Sequence, residues 1–405
     1  MKVAKWKVLG IAGVLALGYA ASVDAAQIKV DDDTWANFGL NMKFFYKNLD
    51  ERSNASSGNS GDWRQNEFLV DNAKIYFAGQ VNKLVQFYGE FDQEEDTPLV
   101  EAGANFAFAK EFQVLVGKIR KPFTRANISS GYALLVPTGY FFDPQKDVSG
   151  LINLFTYDGN TDVGAMIHGD LAGGLITYRV GAYNNDKRLE KNKDFEWNAR
   201  VEFQPLMLGF KPESAATITG KIGDTYLGKK DILTIGIGYT SSKREIKYFN
   251  GTDLSQKVDD TVDGWTIDAT FEKKYGNLVP NLQIGYVSLS DTHANPVTKK
   301  KEDSDAWYVQ AQLLYDQVVG LGKPAIAIRY DSTTNDDRIE IDGNAKDAKL
   351  NRWGVAFNYY IQGQAARVSL GFDNFKYKDG SKDNLKIRGY EDSITDWYLY
   401  IQTKF

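Results

Sequence analysis

Apolar and polar side chains alternate along many short segments of the chain, and this two-residue period constrains the fold more than any other feature. In residues 265–272, Trp, Ile, Ala and Phe alternate with Thr, Asp, Thr and Glu. Residues 397–405 show a similar alternation and end on Phe405. Successive side chains of a strand point to opposite faces, so each segment predicts a strand with one apolar and one polar face. No strong helical period competes, and the chain is therefore predicted to be all-β and antiparallel.

Sixteen segments fit this strand pattern, and the connections between them alternate between long and short. The predicted strands are residues 35–46, 67–79, 83–92, 98–108, 112–121, 159–168, 174–184, 195–204, 231–241, 263–273, 280–289, 305–316, 324–331, 351–361, 365–376 and 395–405. The long connections are 47–66, 122–158, 242–262, 290–304, 332–350 and 377–394, and the short ones include 80–82, 169–173, 274–279, 317–323 and 362–364. This alternation is typical of transmembrane β-barrels, which place long loops outside and short turns in the periplasm.

One connection does not fit that alternation. Residues 205–230 stand where a short turn is expected, yet they are long. Either part of Ala216–Leu227 extends the neighbouring strands, or a strand pair there is misread. The prediction is therefore a transmembrane antiparallel barrel of about sixteen strands, with fourteen and eighteen left open.

The closing strand supports a barrel. An unpaired C-terminal hydrophobic strand would be an aggregation hazard, whereas pairing with residues 35–46 would remove the free edge. The alternative is a closing strand of a soluble sandwich. The ending resembles the C-terminal strand of bacterial outer-membrane barrels, whose terminal Phe is read by the barrel assembly machinery. This resemblance implies that Phe405 is an assembly signal and that the machinery is a partner.

The N-terminus predicts export. Lys2, Lys5 and Lys7 precede the apolar stretch Val8–Ala21, and Val23–Ala25 offers a small-residue cleavage site. Residues 1–25 are therefore predicted to be a removed signal peptide and 26–405 the barrel domain; the alternative is a retained membrane anchor. The chain has no cysteine and a formal net charge of −5, which argues against nucleic acid as a partner.

Catalysis and metal binding are not expected. The only histidines are His168 and His293, and neither lies in a recognisable nucleophile–base setting. Both are interpreted as solvated or interfacial. Asp31–Asp33 lack the further oxygen ligands that a calcium site requires, so we expect a solvated leader there. No catalytic residue, metal site or cofactor is predicted.

The segment 116–125 is the most informative one for function. It is rich in basic residues and ends a strand at Pro122, after which a long apolar connection follows. An exposed loop is rarely so apolar. We therefore expect this third loop to fold into the barrel and to pack its large apolar residues against the inner wall: Leu134, Leu135, Tyr140 and Phe141. The alternative is an outward loop that packs on a neighbouring subunit.

The stretch Gly117-Lys118-Ile119-Arg120-Lys121-Pro122-Phe123 resembles the G-(K/R)-x-(K/R)-x-P-F motif of the phosphate-selective porin O and P family. The resemblance implies a homotrimeric porin in the outer membrane of a Gram-negative-type bacterium. Its partners would be membrane lipid and the small hydrophilic solutes or anions that diffuse through it. The matching cations are Lys118, Arg120, Lys121 and Arg125.

These observations lead to a hypothesis for ion selectivity. The four motif cations would form the positive side of the constriction, with Asp143 and Asp147 opposite. The polar strand faces also carry Arg179, Arg200, Arg329 and Arg367, interleaved with Glu90, Glu202, Asp268 and Asp373. No continuous basic ladder results, so the expected anion preference is weak to moderate. A non-conducting structural or adhesive barrel is the alternative function, and an outer-membrane enzyme is disfavoured by the shortage of histidine.

Overall fold

A computed structural model describes residues 26–52, 62–94, 98–157, 159–185, 194–250 and 253–405. The predicted signal peptide, residues 1–25, lies outside the described residues. So does the Ser- and Asn-rich centre of the first predicted loop, residues 53–61.

The protein is a closed barrel of sixteen antiparallel strands, as the alternation predicted. A short strand β1, Ala26–Lys29, pairs with the start of the first barrel strand. The barrel strands are β2 Trp35–Arg52, β3 Asp62–Gln80, β4 Val85–Asp92, β5 Leu99–Ala107, β6 Gln113–Arg120, β7 Thr161–Leu171, β8 Ile176–Tyr183, β9 Glu196–Phe203, β10 Ile232–Asn250, β11 Asp253–Glu272, β12 Leu278–Ala294, β13 Lys301–Tyr315, β14 Lys323–Ile341, β15 Asn344–Tyr360, β16 Ala366–Lys378 and β17 Ser393–Lys404.

Closure takes place between β17 and β2, which confirms the pairing expected for the last strand. Tyr400 lies opposite Phe45 in this ladder. Phe405 continues the pairing beyond the strand, since its amide donates to the Leu40 carbonyl at 2.8 Å. We call the end of the barrel where β2 begins and β17 ends the terminal end, and the opposite end the hairpin end.

Each strand presents an apolar face outward and a polar face inward. On β10, Ile237 is 58% exposed, whereas Thr234 is fully buried. The same contrast recurs on β16 between Leu370, 58% exposed, and Ser369, 1% exposed. An apolar outside and a polar inside are what a barrel in lipid requires.

Aromatic rings form a belt on the outer surface from β11 to β17. Neighbouring rings lie 4.7–5.3 Å apart between their centroids in four pairs: Trp265 with Tyr286, Trp307 with Tyr330, Trp353 with Phe372, and Phe372 with Trp397. Such a belt is typical of the level at which a barrel meets the membrane–water interface.

Most of the connections at the hairpin end are shorter than predicted, because the strands extend into segments that were predicted to be loops. β10 and β11 run on through most of residues 242–262, and β14 and β15 run through most of 332–350. In the outer part of β14 buried residues no longer alternate with exposed ones, since Asp331, Ser332 and Thr333 are all buried, so the alternation that reveals a strand is lost. The short turns at the terminal end were predicted correctly, at 81–84, 273–277 and 361–365 for example.

Three short helices lie in the connections at the hairpin end. They are α1 Arg125–Ile128 and α2 Lys146–Ser149 after β6, and α3 Asp379–Ile387 between β16 and β17. Thr124 and Asn127 form a capping box that starts α1. Within the described part of the chain, no helix is long and apolar enough to span a membrane.

The connection 204–231 is long, although the sequence pattern predicted a short turn at this end of the barrel. β9 ends at Phe203 and β10 begins at Ile232, so the strand count stays sixteen and residues 216–227 do not extend either strand. The connection instead contacts buried side chains of several strands, among them Asp170 of β7 and Glu272 of β11.

The outward face gives a test of membrane insertion. Leu370→Arg places a charge in the middle of the apolar band and should lower the free energy of unfolding by about 2–4 kcal/mol. Val297→Arg, at an exposed position in the β12–β13 connection, should change it by less than about 0.5 kcal/mol. Urea-dependent refolding into lipid vesicles measures both, and equal losses would contradict the assignment of the lipid face.

Candidate permeation site

The connection from β6 to β7, residues 121–160, is tied to the polar side of the barrel wall by arginines. Arg352 of β15 donates to the Tyr140 carbonyl at 2.5 Å. Arg367 of β16 donates to the Leu134 carbonyl at 2.6 Å, and Arg329 of β14 donates to that of Gly139. These carbonyls belong to irregular backbone without ladder partners, and the guanidinium groups supply the missing donors.

The apolar residues of this connection pack as the sequence suggested. Leu135 is fully buried against Ala327 and Ala356. The ring of Tyr140 lies edge-on to that of Tyr308, with 5.1 Å between the centroids. Leu134 and Phe141 are partly buried against the same cluster as Tyr140. These contacts are made with strands of the same barrel and with other residues of the connection, such as Phe123 and Phe155.

Two of the four motif cations remain partly exposed and differ in their contacts. Lys118 donates to the Leu99 carbonyl at 2.6 Å. Arg120 pairs with Glu101 at 2.9 Å and donates to the Asn127 carbonyl at 2.7 Å. Arg120 lines a cavity in the barrel, described below.

The other two motif cations are buried in ion pairs. Lys121 is 2% exposed and lies 3.2 Å from Glu196 of β9. Arg125 is 1% exposed and binds Glu213 through two hydrogen bonds of 3.0 and 3.1 Å. A buried cation with a carboxylate partner contributes little field to a neighbouring solvent-filled space, so both side chains act here as anchors.

The Arg125–Glu213 pair also sets the protonation of Glu213. Burial acts to raise the pKa of this carboxyl, but the Arg125 guanidinium prevails and holds the pKa below its usual value. Tyr226 and Thr234 donate to the same carboxylate at 2.8 and 2.6 Å. Glu213 is thus an ionised, fully bonded group at the junction of two connections.

The two predicted acids do not come together with the motif cations. Asp143 is buried and accepts hydrogen bonds from Tyr377 and Ser149, each at 2.5 Å. Burial raises the pKa of Asp143. Asp147 is exposed in α2.

The predicted polar-face arginines are mostly compensated by carboxylates. Arg179 and Arg200 share Glu202 at 2.7 and 3.0 Å, and Arg200 also binds Asp268. Arg329 pairs with Asp373 in the same way. Arg367 differs, because its hydrogen bonds go to neutral groups: the carbonyls of Leu134 and Leu135 and the side chains of Asn358 and Ser369. Its guanidinium also lies over the rings of Tyr360 and Tyr400.

Open space lies on the side of the barrel formed by β2–β4, β6 and β17. A cavity of about 540 Å³ extends from Asn160, near the hairpin end, to Lys404, near the terminal end. Its charged lining is largely cationic: Lys43, Lys74, Arg120, Lys221, Lys404 and the single carboxylate Glu90. Tyr76 and Lys404 also line a second cavity of about 460 Å³ at the terminal end.

Sequence analysis missed four of these cavity cations. Lys43, Lys74 and Lys404 lie at polar positions of their strands, and Lys43 is adjacent to Gln402 in the β2–β17 ladder. Strand alternation combined with the expected closure of the barrel would have brought Lys43 and Lys404 together. Lys221 lies in the irregular connection 204–231 and had no such signal.

The interpretation of the histidines as solvated was wrong. His168 is fully buried, and its ring nitrogens contact the Ala215 carbonyl at 2.8 Å and the Asn105 side chain at 3.0 Å. His293 is also fully buried and contacts the Asp336 carbonyl at 2.6 Å and Thr292 at 2.9 Å. Each histidine lies next to a segment that was predicted to be a turn or loop, and therefore looked exposed. The backbone that buries it, at Ala215 for His168 and at Asp336 for His293, is distant in sequence.

Comparison with known proteins identifies the family of this sequence. The sequence model of phosphate-selective porin O and P matches residues 37–393, nearly the whole barrel. An uncharacterized protein of Aquifex aeolicus (strain VF5) is 27% identical over 313 residues, which cover 73% of this chain and 67% of the relative.

Solved structures share the fold. The anion-selective porin from Comamonas acidovorans superposes with a TM-score of 0.58 at 9% identity, covering 92% of this chain and 100% of that one. The outer membrane channel DcaP of Acinetobacter baumannii gives 0.56 at 11% identity, covering 93% and 99%. OmpT of Vibrio cholerae, an outer membrane protein solved in a trimer form, gives 0.53 at 12% identity, covering 92% and 100%.

The Arg125–Glu213 pair gives a test of the anchoring. Arg125→Met leaves the Glu213 carboxylate buried without its main partner and should lower the free energy of unfolding by about 3–5 kcal/mol. Arg125→Met combined with Glu213→Gln should recover part of that loss, because no charge is left unpaired. Refolding from urea measures the three variants. Additive losses in the double variant would show that the two groups are not coupled.

The pKa of Glu213 predicts a pH dependence. A carboxyl whose pKa is lowered on folding stabilises the protein fully above its unfolded pKa of about 4.3, and loses that contribution as the pH falls through the folded value. The stability difference between the wild type and Glu213→Gln should therefore stay constant from pH 7 to pH 5 and shrink only at lower pH. Urea midpoints at each pH measure it, with exposed Glu111→Gln as a control that should show no difference. A difference that has already declined at pH 6 would contradict the assignment.

Proposed function

The chain belongs to the phosphate-selective porin O and P family, and we propose that it is an outer-membrane channel for passive diffusion of small hydrophilic solutes with a preference for anions. A porin transports solutes without a chemical step, so the physical problem is to keep an aqueous path open and to set its charge. The terminal end would face the periplasm, since short turns lie there, and the tall hairpins would face outside.

The residues 121–160 would form the constriction by folding into the lumen. Their hydrogen bonds to Arg329, Arg352 and Arg367 and the packing of Leu135 and Tyr140 on wall residues support this. These contacts are with polar-face side chains of the same barrel, which favours an inward loop over an outward loop packed on a neighbouring subunit.

The lining of the larger cavity carries the proposal of anion preference. Five of its six charged side chains are cationic, and in a narrow space such charges are poorly screened by water. The acids Glu90 and Glu101 balance part of this charge through Lys74, Arg120 and Lys221. A moderate preference for chloride or phosphate is therefore expected, with Arg120 acting at the path, and Lys121 and Arg125 holding the constriction in place.

Assembly would follow the pattern of other porins. The outward apolar faces would contact lipid or neighbouring subunits, and we propose a homotrimer, a form recorded for the structurally similar OmpT of Vibrio cholerae. Phe405, 49% exposed at the terminal end, is accessible for recognition by the assembly machinery.

A non-conducting structural or adhesive barrel is the second candidate function. The extensive contacts of residues 121–160 and 204–231 with polar-face side chains favour it, because segments held in this way would occupy part of the cross-section. Insertion of the purified protein into planar bilayers separates the two functions. Stepwise currents support the channel, and a protein that inserts without currents would be a closed barrel.

The cavity lysines give the test of selectivity. Lys43→Gln combined with Lys404→Gln removes two cations from the lining and should lower the chloride-to-potassium permeability ratio by about two- to fivefold. Lys110→Gln combined with Lys300→Gln removes the same charge from exposed turns at the two barrel ends and should leave the ratio almost unchanged. Reversal potentials in a potassium chloride gradient measure both double variants. Equal shifts in the two would show that net charge, and not the cavity lining, sets the preference.

A further inference from the structure

We infer that the connection 204–231 is a second constriction element that enters the barrel from the terminal end, and that its Lys221 determines the charge selectivity of the remaining path. The inference rests on the proposed channel function and adds the residue and the segment that set its ion preference.

The two inner connections start from opposite ends of the barrel. Residues 121–160 follow β6 at the hairpin end, whereas residues 204–231 follow β9 at the terminal end. They meet through backbone hydrogen bonds. Ser130 donates to the Ile222 carbonyl at 2.8 Å, Ile222 donates to that of Ile128 at 3.1 Å, and Ser129 and Ile222 form a parallel β-bridge.

Side-chain contacts reinforce this junction. Asp224 accepts from Ser129 at 2.7 Å and from Tyr140 at 2.8 Å. Burial raises the pKa of Asp224, and the hydroxyl donors oppose this effect. Together with the Arg125–Glu213 pair, these bonds make the two connections one continuous internal structure.

The connection 204–231 reaches strands on opposite sides of the barrel. Near its start, the Ala215 amide donates to Asp170 of β7 at 2.7 Å. Near its end, Thr225 and Gly228 donate to Glu272 of β11 at 2.6 and 2.9 Å. Leu227 then packs in an apolar cluster with residues of four strands: Val279, Leu314, Ala325 and Tyr360. The segment therefore spans the lumen and confines the open space to one side.

Lys221 faces that open side. Its ammonium lies 3.0 Å from Glu90 of β4 and 3.0 Å from Glu101 of β5, and both Lys221 and Glu90 line the larger cavity. Glu101 is fully buried behind them and is shared with Arg120. Among the described residues, Lys221 is thus the cavity cation that the connection contributes, and it compensates Glu90, the one carboxylate in the described lining.

The position of Lys221 has an electrostatic consequence. With Lys221 in place, Glu90 is bonded to two ammonium groups, since Lys74 also lies 2.8 Å from it. Without Lys221, two carboxylates share Lys74 and Arg120 at the narrow part of the path. The local charge then shifts by one unit toward negative where ions pass, and the barrier for chloride rises.

The main experiment is a comparison of reversal potentials in bilayers. Lys221→Gln should lower the chloride-to-potassium permeability ratio by about threefold or more. Lys221→Gln combined with Glu90→Gln should recover most of that ratio, because the uncompensated carboxylate is gone. Lys211→Gln, an exposed lysine of the same connection, is the matched control and should behave as the wild type. Heat-modifiable mobility in gels verifies that each variant is a folded barrel.

The absence of cysteine from the sequence allows a second readout in one folded protein. Lys221→Cys introduces a single thiol, which can be modified in the bilayer by charged methanethiosulfonate reagents. A trimethylammonium adduct should restore the anion preference, and a sulfonate adduct should lower it further. Lys211→Cys should respond to neither reagent.

The outcomes separate this inference from the proposed function. If the wild type prefers chloride and Lys221→Gln and both Lys221→Cys adducts leave the ratio unchanged, Lys221 does not set selectivity and the channel proposal stands. A wild type that carries no current overturns the channel itself. A loss in Lys221→Gln that Glu90→Gln does not reverse would overturn the charge-compensation account.

Discussion

The two irregular connections, 121–160 and 204–231, contain buried backbone carbonyls that need hydrogen-bond donors, and the packing of polar side chains on the barrel wall depends on this need. The wall satisfies its own amides and carbonyls through the closed ladder, but the two inner connections have almost no regular structure. Buried carbonyls without partners would each cost free energy comparable to a lost hydrogen bond. Arg329, Arg352 and Arg367 supply guanidinium donors from the wall, and the planar group can reach two carbonyls at once, as Arg367 does with Leu134 and Leu135. Wall arginines that sequence reasoning would assign to ion transport thus serve first to hold the inner chain.

This use of arginine divides the lumen into two electrostatic regions. On one side, Arg125, Arg179 and Arg200 are matched by Glu213, Glu202 and Asp268 in buried pairs, and this region is tightly packed. On the other side, lysines border open space. Lysine suits such a position, because its ammonium is a compact and strongly hydrated charge on a flexible stem. Buried arginine–carboxylate pairs therefore occupy the packed side, whereas the cations that border the open side are mostly lysines.

Much of the fold could be predicted from the sequence, because one face of each strand meets lipid. Strand β17 and its partner β2 were recognisable from alternation alone, and the sixteen-strand count follows from it. The outer part of the hairpin β14–β15 was not, since buried residues such as Thr333, Arg338 and Ile339 do not alternate regularly with exposed ones there. The candidate site was harder still. Lys121 and Arg125 attract attention as cations of one basic segment, but their partners Glu196 and Glu213 lie 75 and 88 residues away. Nothing local marks those pairs, so charges that are neutralised in the structure looked free in the sequence.

The anchors of the inner connections impose an order on folding. Arg367 binds a carbonyl 233 residues earlier in the chain, and Gln402 of the last strand binds the Tyr132 carbonyl 270 residues earlier. Contacts of such separation form late and slowly, because the loop that joins them must be closed first. Residues 121–160 therefore lack these particular anchors until β14–β17 have been added, whereas the Lys121–Glu196 and Arg125–Glu213 pairs can form earlier. The last strands thus both close the wall and complete the attachment of this connection to it.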